Sequence, residues 1–327
     1  MAKTSPNVFH IRNAGLWPHD ADFMIAAFDS TIPHLAAGGN AGQWGVEPFS
    51  RKDGFIQETH DDVRLSEEYR LTGKGDPVRT FIAEVRVDDG NSTSSNSNGN
   101  DDGGDGKVNV NVNGNDNGIG NADGDHDNEG SNSGQQSDGV AGHPLPLRTS
   151  PSPSGATFLP VGLITIRDGA FSRHVSSNAQ LRPYTQQAKA EHARATSGGS
   201  SSGSDSGSHS GSGCGSNRGS SSGRGSGSSS GSRGGGGGFI YVDVVVTDFR
   251  TGKRRAGAGA ALLQAAKEYA RDRGRRSVYI DCWTGGTGKL VPYYQRLGFK
   301  PIQDFGVKRK DATVWTGKFL RYDLPEP

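Results

Sequence analysis

Cysteine, methionine and long apolar runs are what this 327-residue chain has least of. Its two cysteines, Cys214 and Cys282, stand far apart in unlike surroundings, which excludes a disulfide framework and fits a reducing compartment. No run of 18 apolar residues occurs, and the N-terminus lacks the charged-then-apolar pattern of a secretion signal, so neither a membrane span nor a leader is expected. A surplus of one charge is missing too: Lys and Arg number 36 against 35 Asp and Glu, a formal net charge of +1. Without a global field, neither a specific nucleic acid nor an anionic membrane is expected as a partner. The expected location is the cytoplasm, with nuclear access open.

Apolar residues make up only 31% of the chain and glycines number 51, with a mean hydropathy of -0.66, so much of the sequence cannot bury enough surface to offset its ordering entropy. The shortage is concentrated. Residues 88–155 are Asn, Asp, Gly and Ser with almost no large apolar side chain, and residues 176–238 are Ser and Gly punctuated by Arg218, Arg224 and Arg233. Both read as disordered insertions within a single domain spanning 1–327. Asp123-Gly124-Asp125-His126-Asp127 starts like a calcium loop, but Asn128 replaces the turn glycine and Gly134 the bidentate glutamate; no metal is expected. Asn91-Ser92-Thr93 is a glycosylation sequon that a cytoplasmic chain would not use. The arginines of the Ser/Gly tract suit loose RNA contact, yet read better as part of a solvated spacer.

Outside the insertions, periodicity predicts a strand at 8–12, helical stretches at 20–35 and 66–71, and strands at 79–87 and 158–166. A β-branched run at 242–247, a helix at 258–273, a strand at 277–282, a helix at 289–297 and two final strands follow. Between the β-branched run and its helix lies Arg254-Arg255-Ala256-Gly257-Ala258-Gly259-Ala260. A strand entering a helix through small residues leaves the first helical N–H groups unpaired at the positive end of the dipole, which suits a phosphate. Such a turn also serves as a tight connection with no ligand. A dinucleotide fingerprint is excluded because Leu262 stands where the third glycine belongs. The imitation P-loop at Gly285-Gly286-Thr287-Gly288-Lys289-Leu290 has Trp283 in place of its first glycine and Leu290 in place of its hydroxyl.

The spacing Arg254-x-x-Gly257-x-Gly259 resembles the pyrophosphate signature [Q/R]-x-x-G-x-[G/A] of the GNAT superfamily of acyl-CoA N-acyltransferases, particularly its small-amine branch. Tyr293-Tyr294-Gln295-Arg296-Leu297-Gly298-Phe299 resembles its YYxxLGF element, and Asp281-Cys282-Trp283 its DCW strand end. The resemblance is strongest over residues 239–322. It implies an α+β (mixed α/β) GNAT-type fold: a central, mainly antiparallel sheet, splayed at its middle and flanked by helices. Acetyl-CoA is the implied cosubstrate. Val245, Val246 and Thr247 would pair with the pantetheine arm, and Arg254, Arg255, Ala256, Gly257, Ala258, Gly259 and Ala260 would hold the pyrophosphate. Arg250 and Lys253 are candidates for the 3′-phosphate, or are simply solvated. Thr287 stands where many relatives carry an asparagine that contacts the arm, and the connection from Thr247 to Lys253 is a couple of residues longer than usual.

Forming an amide from a thioester requires a neutral amine, a polarised carbonyl and a proton for the leaving thiolate. Tyr294 matches the superfamily tyrosine near the sulfur and is expected to donate that proton, although its helical spacing with Leu290 and Leu297 also suits a core aromatic. Asp243 is assigned to proton removal and Asp281 to acceptor binding; either also suits a loop or cap. Residues 28–34 and 43–49 bring aromatics beside carboxylates, fit for a small cationic amine or for a hydrophobic lid. The reading is an N-acetyltransferase acting on a primary amine of a small molecule by direct attack. Its alternatives are acetylation of a protein lysine or N-terminus, and a non-catalytic acyl-CoA-binding module.

Overall fold

A computed structural model describes residues 8–87, 146–149, 155–197, 237–309 and 312–325. The calcium-like run, the sequon, Cys214 and most of both expected insertions lie outside the described residues. In chain order the elements are β1 (Phe9–Asn13), α1 (Asp20–Ala37), α2 (Phe55–Thr72), β2 (Val78–Val87), β3 (Arg148–Thr149), β4 (Thr157–Asp168), α3 (Arg173–Ser177) and α4 (Arg182–Ser197). There follow β5 (Phe239–Thr247), α5 (Ala258–Asp272), β6 (Ser277–Trp283), α6 (Leu290–Arg296), β7 (Lys300–Lys308) and β8 (Val314–Asp323). The strands form one mixed sheet of order β1-β2-β4-β5-β6-β8-β7, with β3 added beside β4. Only β5 and β6 run parallel; the other pairs are antiparallel.

Strand alternation explains why helices cover both sides of this sheet. On β5, Ile240 and Val242 face Leu262, Leu263 and Ala266 of α5, whereas Phe239 and Tyr241 face Phe171, Val175 and Leu181 on the side of α3 and α4. On β6, Val278, Ile280 and Cys282 take the α5 side and Tyr279 the other. Phe23, Met24, Ala27 and Phe28 of α1 cover Ile82, Leu163 and Val246 nearer the other edge. Among the described residues no helix is long and apolar enough to cross a membrane.

Three expectations need correction. The stretch from 176 is not wholly spacer: α4 occupies much of its first part, because Leu181, Thr185 and Ala188 are buried and dock on the aromatic face of the sheet. Small and polar inward residues hid that helix. The first insertion likewise ends inside 88–155, where Arg148 on β3 gives a bidentate pair to buried Glu84 at 2.6 and 2.8 Å. Helix α2 also begins well before residue 66. Its inward positions include Thr59 and Ser66, whose Oγ accepts the Thr80 N–H at 2.8 Å, so its apolar stripe is faint.

Candidate active site

The sheet forks between β5 and β6. Their pairing runs from Phe239 with Ser277 to Val242 with Ile280 and then stops, while β5 continues against β4 as far as Thr247 and β6 against β8 as far as Trp283. At the fork β5 bulges: Val242 pairs with Ile166 and Val244 with Thr165, leaving Asp243 without a partner. A bulge turns two consecutive residues toward one face and bends the strand, which opens the gap. Beyond it, one edge of β5 carries backbone groups that β6 does not pair.

A cavity of about 320 Å³ fills the fork, and Asp243, Val245, Asp281, Cys282 and Tyr294 all line it. Four of the residues singled out from the sequence are therefore brought together. Tyr294 is buried on α6, and burial pushes its phenol well above the ordinary value, with Cys282, Tyr293 and Asp281 adding to the shift. Its proton therefore stays in place at neutral pH. Burial likewise pushes the Cys282 thiol up to about 12, so it is no thiolate at neutral pH.

The two carboxylates are held differently. Asp243 Oδ2 accepts from Arg167 Nε at 2.7 Å, and Arg167 also reaches Asp76. Asp281 accepts the Tyr241 hydroxyl at 2.5 Å on one oxygen and lies 3.4 Å from His174 Nε2 on the other. His174 lines the cleft but was missed in the sequence, being a lone histidine three residues after Phe171 and next to a polar tract. Burial would lower its pKa, but the bond and charge of Asp281, helped by Asp243, raise it above the ordinary value.

One end of the cleft is bordered by a strap tied to the C-terminal strand pair. Trp315 Nε1 donates to the Gln43 carbonyl at 3.2 Å, and Arg309 Nη2 donates to the carbonyls of Gly42 and Gln43. Gln43 and Trp44 line the cleft. Behind them Phe28, Trp44, Phe49 and Phe55 pack ring on ring, so residues 28–34 serve mainly as support.

The expected phosphate turn lies immediately before α5. Gly257 sits before α5 at φ +88°, a left-handed conformation that costs glycine little, and no side chain caps the helix there. A side chain at Gly259 would meet the Tyr293 hydroxyl at 3.1 Å and Thr247 at 4.0 Å. Gly259 therefore also serves to bring the first turn of α5 against α6, a packing reason beyond close approach to an anion. Arg255 lies 3.7 Å over the Phe249 ring. Val246 is buried against Leu163, leaving its backbone rather than its side chain for a ligand. Thr287 is outside the cavity lining; its N–H and hydroxyl both reach Asn40 Oδ1, at 3.1 and 3.4 Å. An uncapped α5 N-terminus beside the unpaired β5 edge fits an acyl-CoA lying along the fork. Among the described residues no group of three His, Cys, Asp or Glu side chains could hold a metal ion.

Residues 230–299 match the family model of the Acetyltransferase (GNAT) family, the segment that contains the fork, the turn and Tyr294. Solved structures similar to the chain include a protein assigned as an acetyltransferase from Agrobacterium tumefaciens, 26% identical over 26% of this chain and 57% of that one, TM-score 0.22. A protein assigned as a phosphinothricin N-acetyltransferase is 13% identical over 98% and 100%, TM-score 0.38. The protein yncA from Salmonella typhimurium, assigned as an acetyltransferase and solved with its cofactor acetyl-CoA, is 11% identical over 98% and 96%, TM-score 0.38. The chain thus spans little over half the length of the first of these. No curated protein matches it.

Proposed function

We propose that this chain, a GNAT acetyltransferase by its match over residues 230–299, transfers the acetyl group of acetyl-CoA to a primary amine of a small molecule by direct attack. The observation that carries the reading is the cavity of about 320 Å³ at the fork, with a buried tyrosine and two carboxylates on its wall. A cavity of that size, with Trp315 and Arg309 in its lining, suits a small acceptor better than a polypeptide.

Acetyl-CoA supplies the acyl group as a thioester. The chain's own residues do the rest. Arg254 to Ala260 and the α5 N-terminus hold the phosphates, and the open edge of β5 at Val245 to Thr247 aligns the arm. Asp281 binds the acceptor ammonium. Tyr294 gives its proton to the departing sulfur. The expected use of Asp243 for proton removal gives way, because Arg167 already engages that carboxylate; Asp243 instead sets the charge at the cleft floor. Cys282, neutral and buried, takes no acyl group. The whole domain, 1–327, acts as one unit in the cytoplasm, where Cys282 stays reduced.

The test compares acceptors at saturating acetyl-CoA: thiol release is read with a panel of small primary amines and with lysine-containing and free-N-terminal peptides. Preference for a small amine is the expected result. Faster release with peptides would transfer the activity to protein acceptors, and no acceptor-dependent release would leave a binding module.

A further inference from the structure

On the cleft floor four side chains from three parts of the chain close into a ring. Tyr241 Oη donates to Asp281 Oδ1 at 2.5 Å; Ser172 Oγ lies 3.1 Å from Tyr241 Oη and 3.0 Å from His174 Nδ1; and His174 Nε2 lies 3.4 Å from Asp281 Oδ2. Each of these four links needs one proton. With a neutral imidazole and an ionised carboxylate, the ring owns three: the tyrosine hydroxyl, the serine hydroxyl and one ring N–H. It is one proton short.

The place of the shortage follows from the donors. When Tyr241 donates to Asp281 and Ser172 donates to Tyr241, Ser172 is left to accept, so the imidazole proton sits on Nδ1. Two lone pairs, His174 Nε2 and Asp281 Oδ2, then face each other across the longest link. That edge also borders the cleft: His174 and Asp281 line the cavity, whereas Tyr241 is fully buried and neither it nor Ser172 contributes to the lining.

We propose that the His174–Asp281 edge is the catalytic proton acceptor for the amine, with Ser172 and Tyr241 as positioning residues that fix the imidazole tautomer. This rests on the acetyltransferase reading. The acceptor arrives as an ammonium and hydrogen-bonds to Asp281 Oδ2; one proton passes to His174 Nε2, completing the ring, and leaves a neutral amine. The nitrogen then bonds to the acyl carbon as the carbon–sulfur bond breaks. Tyr294 protonates the sulfur and regains a proton from the nitrogen. The products are an amide, a thiol and one proton, which His174 releases through the cleft.

The groups that face His174 are Asp281 on β6, Tyr241 and the Arg167-paired Asp243 on β5, and Ser172 before α3; Arg309 and Tyr294 line the same cavity. The two carboxylates stabilise the imidazolium, so acceptor turnover rises with pH through a midpoint above the ordinary histidine value of 6.5.

Imidazole NMR titration of the full chain without substrates tests the ring alone, with the His174 signal identified by its loss in His174→Gln. A midpoint above 6.5 that falls in Asp281→Asn supports the proposal; a midpoint at or below 6.5, or one unmoved by Asp281→Asn, overturns it. In turnover, His174→Gln should cost roughly 10²–10⁴ in kcat/KM and remove the acidic limb, with acetyl-CoA affinity within about twofold. The His174 side chain is 40% exposed, so that variant leaves the core packing intact. An unchanged rate or an unchanged limb overturns the assignment. If the wild-type chain binds acetyl-CoA yet acetylates no amine, the acetyltransferase reading fails and takes this role with it, an outcome the substrate-free titration tells apart from failure of the ring.

Discussion

Val242 and Ile280 form the last backbone pair between β5 and β6, and the next residue on each strand is a carboxylate, Asp243 on one and Asp281 on the other. The fork thus sets two acids at its mouth by construction. Arg167 takes one of them; the other closes a hydrogen-bonded ring with Tyr241, Ser172 and His174.

Tyr294 stands over the fork, and its hydroxyl makes no hydrogen bond to a described residue. Replacing it with Phe should therefore leave melting temperature and acetyl-CoA affinity nearly unchanged while turnover falls by roughly 10²–10⁴, the range for general acid catalysis. Steady-state turnover at saturating acceptor, read with a thermal melt, decides it. A variant within about threefold of the parent is merely missing a packed phenol's oxygen.

Arg254→Glu places a carboxylate at the turn before the uncapped α5. If the turn binds pyrophosphate, acetyl-CoA affinity measured by calorimetry should fall by about tenfold or more, since a charge-assisted hydrogen bond contributes roughly 1.5–3 kcal/mol and here becomes a repulsion. Unchanged affinity in a folded variant would move the phosphates elsewhere.

Deleting residues 91–145 and 199–236 behind short flexible linkers should preserve cooperative melting and acetyl-CoA-induced stabilisation, because loop length changes closure entropy only slowly. Extending the first deletion to 153 should cost a further 1–3 kcal/mol or so, since Glu84, 0% exposed, then loses the bidentate Arg148 and keeps Arg12. Equal stability of the two deletions would show that Arg148 is dispensable.

Burial pushes the Asp62 carboxyl up to about 6; Arg167 opposes the shift, and Asp243, Asp76 and Glu58 add repulsion. A folded-state pKa above the unfolded one means stability is fully present below the unfolded value of 3.8 and is lost as pH rises through about 6. Asp62→Asn should accordingly stabilise the protein at pH 7 by about 1–3 kcal/mol, with the gain disappearing at acid pH. Denaturant melts at both ends of that range check the sign, and a loss of stability at neutral pH would reverse it.

Much of the site was legible because its signals are local. A glycine pair before a helix, an aromatic pair in YYxxLGF and acids at strand ends each occupy a few consecutive residues. The bulge at Asp243 was not legible, since a single unpaired residue leaves strand composition unchanged. His174 was missed because its meaning depends on Asp281, more than a hundred residues away in sequence, and α4 because Thr185 and Ala188 face inward where larger apolar residues would have given it away. Glu84 looked like an ordinary strand residue; only the fold shows that Arg148, from beyond the first insertion, completes its pairing.

Direct transfer of an acetyl group from acetyl-CoA to a small amine is the proposed reaction. A single-turnover reaction with acetyl-labelled acetyl-CoA and the best amine of the panel, quenched over time and read by mass spectrometry, follows the label itself. Direct transfer predicts label passing from the thioester to the amine nitrogen with none on the protein at any time, since a Cys282 thiol pushed up to about 12 is no nucleophile at neutral pH. Label accumulating on Cys282 before it reaches the amine, or remaining on the cosubstrate throughout, would contradict it.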